Sequence, residues 1–189
     1  TNKTKVQCKD CENKSWVKLG SKQIETHLRG DAEDCSDVIG VYPLFADGTC
    51  RFLAFDFDNH NSDNDDFGFC DNDISWIDEV NALREICTLF DIPVLVERSR
   101  SGKGAHVWIF FEKPIDAYIA RQFGFTLLEK GAEYVNLTSF RYYDRMLPAQ
   151  EELKDGGIGN LIALPLQGRA VKKGNSVFVD NKWEPFDNQ

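Results

Sequence analysis

The chain has 189 residues, of which 42% are apolar and 28% charged, so it suits one domain with a buried core rather than a disordered tail. No apolar run approaches the roughly 18 residues that a membrane-spanning helix needs, and six cysteines are too few for a disulfide scaffold. The net charge of −9 at first sight disfavours a polyanionic partner.

The charge is unevenly distributed along the chain. Residues 93–189 hold 13 basic and 12 acidic residues, so all of the net negative charge lies before them, and residues 56–73 alone carry seven Asp. The composition therefore leaves a nucleic-acid partner open. No charged-then-apolar leader follows Thr1, and we expect a reduced, cytoplasmic protein without a membrane partner.

Residues 1–37 form a polar N-terminal segment that contains a short amphipathic stretch at 23–28. Cys8 and Cys11 have the C-x-x-C spacing of zinc ligands, but a closed site needs two more. His27 and Cys35, or residues outside this sequence, could supply them. An incomplete zinc knuckle and a pair of ordinary thiols are therefore both open.

Residues 38–189 are expected to form the main domain, and a hairpin is its first expected element. Two apolar runs, 38–45 and 51–57, are joined by Asp47-Gly48, a strong hairpin signal. The Asp- and Asn-rich stretch after Asp58 lacks periodicity and predicts a loop.

Two helices are expected to alternate with a second hairpin. Apolar residues recur at helical spacing from 74 to 90, with Asp73 as N-cap, and Pro114 is expected to open a second helix that runs to about Lys130. Between them, strands at 94–97 and 105–112 flank a polar turn.

The last third of the chain gives a weaker pattern. Residues 133–156 receive no assignment, and strands are expected at 161–166 and 176–179. The resulting order, β-β-α-β-β-α-(…)-β-β, predicts an α+β fold with its helices on one face of a sheet.

Asp56 and Asp58 end the second predicted strand. Because side chains alternate along a strand, both carboxylates lie on one face while Phe57 points into the core. Adjacent carboxylates repel unless a cation lies between them, and their hard oxygens suit Mg²⁺ or Mn²⁺. The alternative is a strand end that continues into a solvated acidic loop, and D-x-D alone does not decide between the two.

The turn of the second hairpin is basic and contains two glycines that allow close backbone approach. Its candidate phosphate ligands are Arg98, Arg100, Ser101, Lys103 and His106. It is not a Walker loop, because the required spacing and a following helix are both missing. A flexible basic hairpin tip with a half-buried histidine is the alternative.

Two later aspartates could supply a third metal-binding carboxylate. Asp144 follows an aromatic run and precedes a glycine-rich segment, whereas Asp180 ends a strand and looks like part of an ordinary turn. The pattern alone does not separate them.

Taken together, five segments resemble primase-polymerases of the archaeo-eukaryotic primase superfamily. They are FLAFDFDN (52–59), ERSRSGKGAHVWIFF (97–111), YDRMLPAQ (143–150), GIGNLIALPLQ (157–167) and GNSVFVD (174–180). The nearest branches are the primase domains of TOTE conflict systems and the CRISPR-associated primase-polymerases. The resemblance implies that residues 38–189 are a catalytic domain with an RRM-like sheet and helices packed on it.

The resemblance also implies roles for individual residues. Asp56 and Asp58 match the metal-binding pair, and Asp144 matches the third acidic residue, which favours it over Asp180. Ser101, Lys103 and His106 match a segment that grips the triphosphate of the incoming nucleotide.

One position departs from the family pattern. Ala163 stands where eukaryotic-type primases often carry Arg. Part of the nucleotide contact must therefore differ or come from Arg98, Arg100 or Arg145.

The function expected from the resemblance is a template-dependent primase-polymerase. It would use two Mg²⁺ or Mn²⁺ ions to transfer a nucleotide from an NTP or dNTP to a primer or an initiating nucleotide. The partners implied are single-stranded DNA template, primer, and CRISPR adaptation or conflict-system proteins. Two alternatives stay open: a haloacid-dehalogenase-like phosphatase, suggested by LAFDFDN, and a non-catalytic RRM-like module that binds nucleic acid.

Overall fold

The computed structural model describes residues 18–34, 36–59, 75–136, 139–154 and 157–189. Its strands are β1 Gly40–Val41, β2 Thr49–Asp58, β3 Leu95–Arg98, β4 Gly104–Asp116, β5 Tyr143–Leu147, β6 Ile162–Ala163 and β7 Val177–Val179. Its helices are α1 Ser21–Arg29, α2 Trp76–Leu89, α3 Ala117–Tyr134 and α4 Gly168–Val171. The described part of the chain is thus a mixed α/β structure with antiparallel sheets and four helices.

The main sheet has five strands in the order β5-β2-β4-β3-β7, and every neighbouring pair is antiparallel. Helices α2 and α3 cover one face, where Phe55 and Phe57 of β2 join Leu83 of α2 and Leu127 of α3 in the larger core. The small sheet formed by β1 and β6 covers part of the opposite face. Residues of β2 therefore alternate between the helix-covered face and the face that carries β6.

The first predicted hairpin forms only at its turn. Phe45 N donates to Thr49 O at 2.8 Å, and Leu44 bridges to Cys50 across that turn. The strand before it, β1, pairs instead with Ile162 and Ala163 of β6. The hairpin expected between residues 38–45 and 51–57 is therefore limited to its turn, because a partner more than 100 residues away pairs with the start of the first run.

Both long helices begin later than the sequence suggested. Ser75, not Asp73, caps α2: Asp78 N donates to Ser75 Oγ at 3.4 Å, and Ser75 N donates to the Asp78 carboxylate at 2.8 Å. Helix α3 is capped by Asp116 rather than opened by Pro114.

Pro114 lies within β4, at an irregularity in the pairing with β2. Cys50 pairs with Ile115 while Phe52 pairs with Phe110, so the segment of β4 between these partners is out of regular register. Proline is tolerated at such places because it has no N–H to donate to the ladder.

The described part of the N-terminal segment packs on α4. His27 is 2% exposed; its Nδ1 accepts from Ile39 N at 3.1 Å, and its Nε2 donates to Pro165 O at 3.0 Å. Both ring nitrogens are thus engaged, which removes His27 from the zinc hypothesis. Cys8, Cys11 and Cys35 lie outside the described residues, so a zinc site there and a domain boundary at residue 37 stay predictions.

Among the described helices, none is both long and apolar enough to cross a bilayer.

Two glycines of α3 give opposite predictions for the same substitution. A methyl group at Gly124 would lie 2.2 Å from Met146 Sδ and 3.1 Å from Leu53 Cδ1, whereas at Gly131 the nearest atom is 3.4 Å away. We expect Gly124→Ala to lower the free energy of unfolding by about 1–3 kcal/mol through overpacking. Gly131→Ala should raise it by about 0.5–1 kcal/mol through helix propensity. Urea denaturation of both variants measures this, and shifts of the same sign would contradict it.

Candidate active site

A row of four polar side chains crosses the main sheet at one register. Arg145 of β5 pairs with Asp56 of β2, Asp56 pairs with His106 of β4, and His106 pairs with Glu97 of β3. Phe57, the neighbour of Asp56, is fully buried under the helices, so Asp56 faces the opposite side of the sheet. The row is therefore on the face that β6 only partly covers.

Asp56 is the carboxylate at the centre of this row, and its side chain is only 13% exposed. Burial raises its pKa above the ordinary value, and the charges of Asp58 and Asp144 add to this rise, while His106 and Arg145 oppose it. The two later carboxylates thus act electrostatically on Asp56, as residues around a cation site would.

Asp144 reaches this face because β5 is irregular. Asp56 pairs with Arg145 but Phe57 pairs with Tyr143, so Asp144 is an extra residue on β5 at this point. Tyr143 stacks edge-on against Phe57 in the core, whereas Arg145 and Asp144 are in contact with each other on the Asp56 side. A bulge of this kind redirects a side chain without changing the rest of the strand.

Arg145 lies between two of the carboxylates. Its Nη2 is 2.7 Å from Asp144 Oδ2, and its Nε is 3.4 Å from Asp56 Oδ2. One guanidinium thus contacts both side chains and offsets one of their two negative charges.

His106 is held from two sides. Its Nδ1 is 2.9 Å from Glu97 Oε2, and its Nε2 is 3.5 Å from Asp56 Oδ1. Burial alone would lower the pKa of His106, but the hydrogen bond and charge of Glu97, helped by Asp56 and Asp58, outweigh it and raise the pKa. Glu97 and Asp56 thus both act to keep a proton on this ring.

The glycine-containing turn lies beside the end of β2. Ser101 Oγ accepts from Lys103 N at 3.1 Å, and Gly102 has φ 76°, a left-handed conformation that suits glycine. Asn59 N donates to Lys103 O at 3.0 Å, which ties the turn to the residue that follows Asp58. Ser101 and Lys103 are exposed at this edge.

The two arginines before the turn are placed differently. Arg98 shares the helix-covered face with Val96, and its guanidinium donates to Gly174 O at 2.7 Å and to Trp183 O. Arg100 is exposed on the turn itself. The structure therefore does not bring Arg98 to Asp56, although sequence proximity suggested it.

Asp180 is remote from Asp56. It follows β7, which is separated from β2 by two strands and thus by roughly 14 Å. Its Oδ1 accepts from Lys182 N at 2.8 Å and from Glu184 N at 3.0 Å. Its carboxylate stabilises a turn.

A family model described as the TOTE conflict system archaeo-eukaryotic primase domain matches residues 1–189. The chain belongs to this family. The resemblance seen in the sequence is thereby confirmed, and membership indicates a primase-like nucleotidyltransferase function. Neither the phosphatase nor the non-catalytic module is favoured. No curated protein matches the chain significantly.

Primase domains of this family typically use divalent metal ions, and the question is whether the side chains of this chain could bind one. Within the described residues, no three His, Cys, Asp or Glu side chains converge closely enough to hold an ion. The donor chemistry nevertheless fits, because Asp56, Asp58 and Asp144 offer hard oxygens and the charges of Asp58 and Asp144 both act on Asp56. Arg145 contacts two of the three and supplies the positive charge they require.

Glu97 is the member of the row that sequence reasoning missed. It has no motif of its own, and in the sequence it stands between an apolar strand and a basic turn. Only the strand register that places it opposite His106 could have revealed it.

Proposed function

We propose that the chain is a template-dependent primase-polymerase that transfers a nucleotide from an NTP or dNTP to a primer 3′-hydroxyl or an initiating nucleotide. The observation that carries this proposal is the row across the sheet, in which Asp56 Oδ1 lies 3.5 Å from His106 Nε2 and Arg145 joins the Asp56 and Asp144 carboxylates. A carboxylate cluster beside a histidine and a glycine-containing turn is suited to a metal-bound triphosphate.

In this proposal Asp56, Asp58 and Asp144 hold two Mg²⁺ or Mn²⁺ ions. Bound cations would supply Lewis acidity for the 3′-hydroxyl and neutralise charge on the α-phosphate and the leaving pyrophosphate. The protein's own contribution is position: all three aspartates are fixed by β2 and β5, which are paired strands of one sheet.

The phosphate ligands in the proposal are His106, Lys103 and Ser101, with Arg100 at the turn as a further cation. Hydrogen bonds from charged donors to phosphate are among the strongest in proteins, so a few such groups can fix the triphosphate in line. Arg98 has a supporting part instead, because it ties the base of the turn to the Gly174 and Trp183 carbonyls.

The fold detail supports the same assignment. From β2 to β5 the chain runs β-α-β-β-α-β, and its four strands lie in the order β5-β2-β4-β3. This is the ferredoxin-like arrangement, which RRM-type sheets share. We propose that it is the RRM-like core of the catalytic domain, and that the chain acts with other conflict-system proteins.

A single assay separates the proposed function from its alternatives. The protein is incubated with a primed template, labelled nucleotide and Mn²⁺. Template-directed extension supports the primase-polymerase. Release of phosphate without extension would instead support a phosphatase, and binding without turnover would support a nucleic-acid-binding module.

Arg145 gives a prediction that does not depend on turnover. Its guanidinium must leave Asp56 and Asp144 before these carboxylates bind a cation, so Arg145→Gln should tighten Mn²⁺ binding. The side chain is 48% exposed, and exposed ion pairs are weak, so we expect a gain of about three- to tenfold. Electron paramagnetic resonance of free Mn²⁺ in nucleotide-free protein measures it.

Arg51→Gln is the matched control, because Arg51 is an exposed arginine near the start of β2, five residues before Asp56. Its Mn²⁺ affinity should equal that of the unmodified chain. Unchanged or weaker binding in Arg145→Gln would contradict the competition between arginine and cation.

A further inference from the structure

Glu97 is a buried carboxylate that accepts hydrogen bonds from three side chains. The residue is 1% exposed, and its Oε2 accepts from His106 Nδ1 at 2.9 Å and from Trp108 Nε1 at 3.1 Å. Its Oε1 accepts from Ser176 Oγ at 3.3 Å. Both oxygens are thus fixed, and the carboxylate cannot rotate without losing partners.

The surroundings of Glu97 are built around this carboxylate. Ser176 is 1% exposed and has φ 55°, a left-handed conformation that serine rarely adopts. In that conformation its Oγ donates to Glu97 and accepts from Gln167 N at 3.3 Å. Backbone strain of this kind persists only where neighbouring contacts enforce it, and it concentrates at functional sites.

Stability alone does not explain a carboxylate at this position. Burying a charge is unfavourable unless it is fully paired, and a well-packed apolar side chain often stabilises such a position equally well. An apolar residue would leave His106, Trp108 and Ser176 without their acceptor, and of these three His106 is the one that lies beside Asp56.

That contact fixes the direction of the imidazole. Because Nδ1 donates to Glu97, the other nitrogen, Nε2, faces Asp56 at 3.5 Å. The Trp108 ring stands perpendicular to the imidazole with centroids 6.1 Å apart, which further restricts its rotation. Nε2 is therefore presented on the side where the carboxylates lie.

We propose that Glu97 is a positioning residue for the incoming nucleotide: by holding Nδ1 of His106, it keeps Nε2 directed at the phosphates beside Asp56. The inference rests on the proposed function, since it takes His106 as a phosphate ligand. Glu97 itself does not touch the nucleotide.

A double-mutant cycle tests whether Glu97 acts through His106. The affinity for dATP with Mg²⁺ is measured by calorimetry for the unmodified chain, Glu97→Ala, His106→Ala and the double variant. Losing one oriented charge-assisted hydrogen bond should weaken binding about 10- to 100-fold in Glu97→Ala. The double variant should match His106→Ala. An unchanged affinity in Glu97→Ala, or an equal further loss in the His106→Ala background, overturns the proposal.

Glu97→Gln is the variant that guards against a folding defect. Its amide oxygen can still accept from His106 and Trp108, so it should retain most of the affinity that Glu97→Ala loses. Glu97→Gln as weak as Glu97→Ala, with both variants folded by circular dichroism, would contradict a role in position.

Nitrogen-15 spectra of His106 separate this inference from the proposed function, because they need no nucleotide. Whether or not Nε2 is protonated, the unmodified chain and Glu97→Gln should keep a proton on Nδ1, whereas the neutral ring of Glu97→Ala should carry part of its proton on Nε2 instead. A chain that shows it but does not bind dATP would disprove the nucleotide site and keep the Glu97–His106 pair. A ring without a proton on Nδ1 in the unmodified chain would disprove the pair.

Discussion

Asp56→Asn is expected to lower primer extension at least ~10³-fold at pH 7, since charge stabilisation by a bound metal is worth several kcal/mol. The same substitution should leave the free energy of unfolding at pH 7 unchanged or higher. The combination is diagnostic, because most substitutions at buried positions lower stability. Extension rates and urea denaturation of one preparation measure both quantities.

The stability half of this prediction follows from the raised pKa of Asp56. Burial is its main cause, so the fold favours the protonated carboxyl. A group whose pKa is raised on folding contributes stability below its unfolded pKa, and this is lost as the pH rises through the folded value. At pH 7 the ionised side chain therefore costs stability that Asn does not. The advantage of Asp56→Asn should disappear below about pH 4, the ordinary range of the carboxyl.

A less stable Asp56→Asn at pH 7 would mean that the ion pairs with His106 and Arg145 outweigh burial.

Two matched variants assign the third carboxylate. Asp144→Asn should lose extension to a similar degree, whereas Asp180→Asn keeps an oxygen that accepts from Lys182 N and should extend normally. Loss in Asp180→Asn with retention in Asp144→Asn would reverse the assignment.

Local pattern was sufficient for the parts of the site that lie within one strand. Alternation alone placed Asp56 on one face and Phe57 in the core, and the structure has Phe57 fully buried. The buried face of helix α2 was equally predictable from the sequence, because its apolar spacing is regular over residues 76–89.

What the sequence could not provide is register between strands. Glu97 meets His106 only because β3 and β4 pair at that register, and Asp144 joins Asp56 only through an extra residue in β5. Pairing of β1 with β6 depends on contacts across more than 100 residues. Such placements follow from tertiary packing, which local propensity does not encode.

The motifs nevertheless identified the family, because several of them occur in the order that the family requires. Motif order is insensitive to register, so the recognition was correct while single residues were misplaced. Arg98 shows the difference: it is adjacent to the turn in sequence but lies on the other face of the sheet and donates to Gly174 O.

The absence of a side chain at Gly104 is needed both for the pairing of β2 with β4 and for the position of Asp58. It pairs with Asp58, and a methyl group there would lie 2.0 Å from Phe57 O and 2.9 Å from Asp58 Oδ1. The first of these atoms is backbone and cannot turn aside. We expect Gly104→Ala to lower the free energy of unfolding by about 3 kcal/mol, the upper end of overpacking costs.

Gly104→Ala should also lose extension at temperatures where it is still folded, because relief of the clash must separate β2 from β4 and displace Asp58 from the turn that carries Lys103. Gly131→Ala controls for the added methyl group, since it has room for it. The measurements are thermal melting and primer extension. Extension is measured at about 15 °C below the melting temperature of each variant, where the free energy of unfolding is at most several kcal/mol and each variant is still folded. A stable Gly104→Ala that extends primers normally would mean that β2 and β4 do not pair at this register. The row from Arg145 to Glu97 depends on the same register and would then be wrong as well.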